Sequence, residues 1–321
     1  MGREQVDCIV ECVRVPGKPG LAALARYCES PNYNMAMAAP ARRVRKAVPM
    51  AFPWSRRGAV FAALSFFLAG CAETGLVTTD TSREKKMASE VVSGLVVGEP
   101  VYLETPMRVR TIGREKFLSI YTLAPNPNGA VILCHGAGLH PDAGIVGKLR
   151  DDLAARGYTT LSIQMPMVGP DIVGRATTAE IERKNYPLLF EDGGERIAAA
   201  AKFLQSKGYA RVAIVSHGMG SRMAEFYLIH FAEAPVFAWV SLSISNGEFS
   251  QVGRLALPVL DLYAENDQAD VVTGAPFRAA VLRSSPRGRQ LKVPGTDHVY
   301  TGKDRQVAAE IQRFLDALSR S

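Results

Sequence analysis

The sequence predicts an α/β protein built on a mainly parallel β-sheet with helices covering both faces. From Glu99 onward, segments with strand character alternate with segments whose apolar residues recur at helical spacing. Two strand segments, residues 129–134 and 212–215, are continuous apolar runs, a pattern typical of parallel strands buried on both faces. Gly157 and Gly208 follow two of the amphipathic helices, at positions where helices commonly end. Such alternation favours a doubly covered sheet.

The individual elements follow from the same patterns. Strands are predicted at residues 101–103, 117–123, 129–134, 158–164, 212–215, 236–243, 259–263 and 290–293. Amphipathic helices are predicted at residues 144–156, 196–207, 221–231 and 306–318. No internal repeat is visible, so we expect residues 100–321 to form a single domain.

The charge distribution argues against a nucleic-acid partner. The 38 Lys and Arg and 31 Asp and Glu give a net charge of +7. Residues 1–70 hold 10 basic and 4 acidic residues, which leaves a net charge of +1 for residues 71–321. The domain therefore has no basic excess with which to bind nucleic acid. Only Cys71 and Cys134 of the five cysteines follow residue 70, so a disulfide scaffold is not expected.

A secretion signal lies at residues 50–70. Arg56 and Arg57 precede a short apolar run at residues 59–67, which is too short to span a bilayer but has the proportions of a signal-peptide core. The following residues 68–71, Leu-Ala-Gly-Cys, resemble a bacterial lipobox. The resemblance implies that Cys71 is lipidated. We therefore expect a protein anchored by lipid to a membrane of the bacterial cell envelope, on the periplasmic side.

The position of this signal divides the chain further. About fifty residues precede it, although signal peptides begin at the protein's N-terminus. We hypothesise that translation starts at Met50 and that residues 1–49 are an over-extended gene product or a disordered extension. Residues 71–99 are polar after Cys71 and are predicted to be a tether. Residues 100–321 follow as the folded domain.

Four loops carry the candidate chemistry. Each follows a predicted strand: residues 135–138 (His-Gly-Ala-Gly), residues 216–220 (Ser-His-Gly-Met-Gly), residues 264–267 (Ala-Glu-Asn-Asp) and residues 294–298 (Pro-Gly-Thr-Asp-His). Their order resembles that of the α/β-hydrolase superfamily, in which an elbow is followed by an acid and then a histidine. The resemblance covers residues 100–318 and is strongest to a proteobacterial branch known mainly as a domain of unknown function.

The resemblance implies a role for individual residues. His298 corresponds to the general base and Asp267 to the carboxylate that orients it. The N–H groups of Met219 and of Gly136 or Ala137 correspond to the oxyanion hole. Asp270 and Asp297 are less favoured candidates for the acid. His217 is expected to pack locally rather than to act in catalysis.

The elbow departs from the family pattern at its central position. Gly-x-Ser-x-Gly placed on residues 216–220 puts Gly218 where the nucleophile belongs, and the motif occurs nowhere else in the chain. Three interpretations follow. The protein is a degenerate hydrolase that no longer transfers acyl groups, or it uses a relocated nucleophile, or His298 and Asp267 activate water without one. Candidates for a relocated nucleophile are Ser216, Ser221 and Cys134, although each is also explained as a structural residue.

Metal and cofactor sites are not predicted. His135, His140 and Asp142 have ligand-type side chains but lie in the loop that the oxyanion hole already explains. Gly136-x-Gly138 lacks the third glycine of a dinucleotide-binding loop.

The lid is expected to be minimal, because residues 245–257 form a short interval where relatives insert one. The longer excursion over residues 165–195 is hypothesised to wall the pocket.

The function predicted from the sequence is that of an envelope lipoprotein with a degenerate serine-hydrolase domain. Its role would be to bind a small acyl or ester-like ligand. The alternative is an active hydrolase of carboxylic esters that uses the His298–Asp267 pair. The sequence identifies no protein partner.

Overall fold

The computed structural model describes residues 8–14, 22–28, 79–105, 116–167, 178–231, 236–244, 249, 252, 255, 257–285 and 287–319. The chain divides into two compact units, Met1–Ala69 and Gly70–Ser321. The predicted signal peptide, the lipobox with Cys71 and the proposed start at Met50 lie outside the described residues, as does most of the short lid interval. None of the described helices combines the length and hydropathy needed to cross a membrane.

The first unit contains an antiparallel strand pair. Strand β1 spans Cys8–Arg14 and strand β2 spans Ala22–Cys28, with Cys8 opposite Cys28. The expectation of an extension without regular structure is wrong for these two segments. Residues 9–13, Ile-Val-Glu-Cys-Val, are rich in β-branched side chains, which favour extended backbone even in a run too short to show a clear period.

The second unit begins with a helix where a tether was expected. Helix α1 spans Thr81–Gly94, and its N-cap Asp80 accepts a hydrogen bond of 3.0 Å from the N–H of Arg83. Ala88 and Val91 are buried against Leu118 and Ile120 of the sheet. The predicted tether over residues 71–99 thus contains a helix that packs on the sheet. Helix α1 buries few apolar side chains, so its sequence has no clear apolar face that would predict a helix.

Eight strands form the sheet of this unit, in the order β10-β9-β8-β7-β5-β6-β4-β3. The strands are β3 (Glu99–Glu104), β4 (Lys116–Thr122), β5 (Gly129–Cys134), β6 (Tyr158–Ile163), β7 (Val212–His217), β8 (Val236–Leu242), β9 (Val259–Asn266) and β10 (Arg289–Asp297). All neighbours pair in parallel except β3–β4 and β4–β6. The predicted mainly parallel sheet is confirmed.

Within the described residues, five further helices accompany the sheet: α2 (Gly144–Ala155), α3 (Thr178–Ser206), α4 (Met219–His230), α5 (Ala269–Leu282) and α6 (Asp304–Ser319). One hydrophobic core lies between the sheet and helices α3 and α4. A second hydrophobic core lies between the opposite face of the sheet and helices α2 and α6. The apolar runs β5 and β7 are buried along their whole lengths, because every second side chain enters a different core.

Two helices differ from the sequence prediction. Helix α3 begins at Thr178, and Leu189 within it belongs to the core. The excursion predicted over residues 165–195 is thus helical from Thr178, and its residues 168–177 lie outside the described residues. Helix α5 was not predicted at all. It contains Pro276, a residue that usually interrupts a helix.

A buried charge cluster holds α1 to the rest of the unit. The Arg196 side chain in α3 is 1% exposed, and it pairs with Glu84 of α1 at 3.0 Å and with Asp192 at 3.1 Å. The second Glu84 oxygen accepts a hydrogen bond of 2.9 Å from the N–H of Met167. Burial raises the pKa of Glu84, against the opposing charge of Arg196. Since a buried ion needs its partners, α1 is an integral part of this unit.

We predict that Glu84→Gln destabilises the protein by about 3 kcal/mol, because Arg196 then remains buried with one partner fewer. Urea unfolding followed by circular dichroism measures the change. The matched control is Arg313→Met, which removes an ion pair whose arginine is 63% exposed, and we expect it to change the free energy of unfolding by less than about 0.5 kcal/mol. Equal unfolding midpoints for the two variants would show that α1 is not held by this cluster.

Candidate active site

The sharp turn between β7 and α4 presents Gly218 at the carboxyl edge of the sheet. Gly218 has φ +53° and ψ −120°, which is a backbone conformation strained for any residue with a side chain. Its N–H donates to the carbonyl of Leu242 in the neighbouring strand at 2.9 Å. In α/β-hydrolases, a strained strand-to-helix turn of this kind places the nucleophile above the sheet.

The two glycines of the turn meet different surroundings. A Cβ on Gly220 would lie 2.4 Å from the carbonyl oxygen of His135 and 2.7 Å from that of Cys134. Both are backbone atoms, so only glycine lets α4 pack this closely on β5. A Cβ on Gly218 would meet no described atom closer than His298 Nε2, at 3.6 Å. Packing therefore requires glycine at 220, whereas residue 218 has room for a side chain directed at His298.

His298 and Asp267 form the hydrogen-bonded pair that the sequence predicts. His298 Nδ1 lies 2.6 Å from Asp267 Oδ1, and the side chains are 25% and 0% exposed. Asp267 also accepts hydrogen bonds of 2.9 Å from the N–H groups of Ala264 and Gln268. Burial alone would raise the pKa of Asp267, but hydrogen bonds led by that of His298 outweigh it and lower the pKa. The carboxylate therefore stays ionised and orients His298 with Nε2 toward Gly218.

Two residues that sequence reasoning missed support this carboxylate. Ser243 follows β8 with φ +49°, and its hydroxyl donates to Asp267 Oδ2. Tyr300 is buried, lies 2.9 Å from the Ser243 hydroxyl and donates to the carbonyl of Leu262 at 2.9 Å. The position of Ser243 was a usable signal, since polar residues directly after parallel strands gather at one edge of the sheet.

His217 links the turn to the loop of His298. Its Nε2 donates to the backbone carbonyl of His298 at 2.9 Å, and the two rings lie 4.8 Å apart. Burial lowers the pKa of His217 to about 4, so the ring is neutral at physiological pH. His217 thus packs locally, as expected, and holds the backbone of His298.

The loop after β5 lies beside the turn. The Cα of Gly136 is 3.9 Å from the position of a Cβ on Gly218. His135 fixes this loop: its Nδ1 donates to the carbonyl of Gly136 at 2.8 Å, and its Nε2 accepts from the N–H of Met165 at 2.9 Å. Burial lowers the pKa of His135 to about 3. Met219 is the first residue of α4, so its N–H has no acceptor within the helix. Its role as an oxyanion donor, with Gly136 or Ala137, stays a prediction.

Comparison with known proteins identifies the fold. A family described as a protein of unknown function (DUF3530) matches residues 101–188. Among solved structures, Est1E from Butyrivibrio proteoclasticus is 14% identical, with a TM-score of 0.52 over 70% of this chain and 100% of its own. The dienelactone hydrolase from Anabaena variabilis is 17% identical, with a TM-score of 0.51 over 69% and 99% of the two chains.

An alpha-beta serine hydrolase homologue from Coxiella burnetii is 15% identical, with a TM-score of 0.50 over 68% of this chain and 98% of its own. The chain has the α/β-hydrolase fold. No curated protein matches the sequence significantly.

Within this α/β-hydrolase fold, the three candidates for a relocated nucleophile are inaccessible. Ser216, Ser221 and Cys134 are each 0% exposed. The Ser216 hydroxyl also accepts a hydrogen bond of 2.8 Å from the indole N–H of Trp239. Burial raises the pKa of the Cys134 thiol well above its usual range, which disfavours the reactive thiolate. None of the three side chains can meet a substrate at His298.

The other residues considered as acids or ligands have separate roles. Asp297 caps its own turn, since it accepts hydrogen bonds from the N–H groups of Val299 at 3.2 Å and Thr301 at 3.0 Å. Asp270 lies in the first turn of α5. The remaining potential ligands, His135, His140 and Asp142, do not converge. His140 accepts from the N–H of Asp142, whose carboxylate pairs with Arg150 at 2.6 Å. The described residues contain no cluster suited to a metal ion.

We predict that substitution by alanine destabilises the protein more at Gly220 than at Gly218. Gly220→Ala should cost about 3 kcal/mol or more in the free energy of unfolding, because its Cβ would overlap two backbone carbonyls. Gly218→Ala should cost less, about 1–2 kcal/mol, from backbone strain alone. Urea unfolding of both variants measures the difference. If Gly218→Ala proved as damaging as Gly220→Ala, glycine at 218 would be a packing requirement.

Proposed function

We propose that this protein is a lipid-anchored envelope protein whose domain binds a small acyl or ester-type ligand without forming an acyl-enzyme. The observation that carries the proposal is Gly218 at the nucleophile position, beside the hydrogen-bonded pair His298–Asp267. A serine hydrolase needs a hydroxyl at that position, from which the histidine takes a proton as the oxygen attacks the carbonyl. Glycine has no atom that can form that bond.

The rest of the site still suits a carbonyl ligand. The N–H groups of Met219 and of Gly136 or Ala137 would donate hydrogen bonds to its oxygen. His298 Nε2 would lie beside its carbon. One structural neighbour is named a dienelactone hydrolase, which supports the choice of an ester-type ligand. Since Ser216, Ser221 and Cys134 are buried, the proposal does not include a relocated nucleophile.

A second candidate function is hydrolysis by activated water. It is favoured by one observation. His298 Nε2 faces the space beside Gly218 and lies 3.6 Å from the position that a Cβ on Gly218 would take. His298 would take a proton from water, the resulting hydroxide would attack the carbonyl carbon, and the leaving oxygen would recover the proton. Asp267 would stay ionised and stabilise the charged imidazole.

Ester hydrolysis by the purified full chain tests both candidates. We expect the natural chain to be inactive toward short and medium acyl esters. The Gly218→Ser variant should exceed the background rate of the natural chain by at least about 100-fold, because the serine Cβ would lie 3.6 Å from His298 Nε2, which leaves its hydroxyl within hydrogen-bond reach. Adding His298→Ala to Gly218→Ser should remove the gain.

Each other outcome of this assay has a definite meaning. Activity of the natural chain that His298→Ala abolishes would favour the second candidate, activated water. A folded Gly218→Ser variant without activity would contradict the proposed site, as would natural activity that His298→Ala leaves unchanged.

The proposed membrane anchor rests on the lipobox at residues 68–71 and the arginines before it. Helix α1 begins ten residues after Cys71, so the link spans at most about 35 Å. We expect radiolabelled palmitate to enter the chain in bacteria and Cys71→Ser to prevent it, with Cys134→Ser as the matched control. Equal labelling of the Cys71→Ser variant would overturn the anchor.

A further inference from the structure

A cleft far along the sheet from His298 lies between α1, β3 and β4. It has a volume of about 90 Å³, and its lining includes Lys85, Tyr102, Lys116, Leu118 and Gln164. The two lysines are exposed and Tyr102 is 54% exposed, so they form the rim. Leu118 and Gln164 are each 1% exposed and form the floor. The cleft therefore has a cationic and aromatic rim above a partly apolar floor.

The floor carries an acceptor that is buried without a hydrogen bond. Gln164 Nε2 donates to the carbonyl of Met165 at 2.8 Å. Its Oε1 is buried and has no partner among the described residues. Leaving such an atom unpaired costs about 1–3 kcal/mol, so an N–H donor from a ligand would be stabilising here. The neighbouring Glu84 carboxylate is already paired with Arg196.

Exposed apolar side chains concentrate on the same edge of the sheet. Of seven exposed large hydrophobic residues in the described part of the chain, four lie here: Val96, Val97, Tyr102 and Leu123. Val97 and Leu123 lie two residues beyond the paired Glu99 and Tyr121, at the end of the β3–β4 pair opposite to Lys116, which pairs with Glu104. An edge that carries lysines at one end and exposed apolar residues along it is of the kind that lies on a membrane.

We propose that this α1–β3–β4 edge rests on the membrane and that its cleft binds the headgroup of phosphatidylethanolamine. The phosphate would lie between Lys85 and Lys116. The ammonium group, two carbons away, would donate to Gln164 Oε1. Val96, Val97 and Leu123 would enter the boundary between headgroups and acyl chains. The surface is independent of the site at His298, and it includes α1, which begins ten residues after the proposed anchor Cys71.

The ammonium group distinguishes this headgroup from its methylated analogue. Phosphatidylcholine carries the same charges, but its quaternary nitrogen has no N–H to donate. A surface that only attracts phosphate through its lysines would bind the two lipids equally. Preference for phosphatidylethanolamine therefore reports the contact with Gln164 and not charge alone.

Vesicle co-sedimentation tests the proposal, with the Cys71→Ser full chain used so that binding cannot come from an acyl anchor. We expect roughly fivefold tighter binding to vesicles of equal parts phosphatidylethanolamine and phosphatidylcholine than to phosphatidylcholine alone. The double variant Lys85→Gln/Lys116→Gln should lose this preference. The matched control is Lys148→Gln/Lys207→Gln, which changes two exposed lysines elsewhere and should keep it. Gln164→Met should lose the preference while its unfolding midpoint shows that it remains folded.

The remaining outcomes overturn the proposal in distinguishable ways. Equal binding to both kinds of vesicle would show that the cleft does not recognise the phosphatidylethanolamine headgroup. Binding that rose only when anionic phosphatidylglycerol was added would show that the surface is attracted to the membrane by charge alone. Soluble phosphoethanolamine should compete with the vesicles better than phosphocholine does. If soluble phosphoethanolamine bound the chain while the vesicles did not, the cleft would be a small-molecule site and the membrane surface would be wrong. None of these results depends on ester hydrolysis or palmitate labelling.

Discussion

Parallel pairing of five neighbouring strands is the constraint on which the candidate site depends. Strands β10, β9, β8, β7 and β5 lie side by side in the sheet, and each ends at the same edge. The residues that follow them are His298, Asp267, Ser243, Gly218 and Gly136, in the same order. Residues up to 162 positions apart in the chain are thereby brought into contact. The strands hold this arrangement because both faces of the sheet are buried, which leaves the register little freedom.

Hydrogen bonds hold the residues of the site in place, but residue 218 has no side chain that could act as a nucleophile. Asp267 is oriented by Ser243 and two backbone amides, His298 is held at its backbone by His217, and the loop of Gly136 is tied by His135. The turn at Gly218 has the strained conformation that a nucleophile would need. At residue 218, however, the chain lacks the hydroxymethyl group that a serine hydrolase has there. This combination supports the proposal of ligand binding without an acyl-enzyme.

Much of the fold followed from periodicity because the central strands are fully buried. Continuous apolar runs such as β5 and β7 identify parallel strands without any knowledge of their neighbours. Asp267 and His298 were predicted because the loops after β9 and β10 resemble those of α/β-hydrolases. Ser243 and Tyr300 were missed because their roles depend on backbone conformations with positive φ and on contacts between different loops. Such contacts are properties of the assembled edge and not of any one segment.

Helix α1 escaped prediction for a different reason. Its burial depends on an ion pair between Glu84 and Arg196, residues that sequence patterns assign to the surface. Helix α5 contains Pro276, which argues against a helix locally although tertiary packing accommodates it. The paired strands β1 and β2 lie in a region whose composition suggested no order. In the two helices, contacts with other segments override local preference.

Intact mass spectrometry after treatment with a fluorophosphonate tests the central claim most directly, because this reagent bonds covalently to a serine activated by histidine. The account predicts no mass increase for the natural chain and the addition of one phosphonyl group to Gly218→Ser, located at residue 218 and lost when His298→Ala is added. Covalent labelling of the natural chain that depends on His298 would contradict the account, since it would reveal a working nucleophile elsewhere in the site.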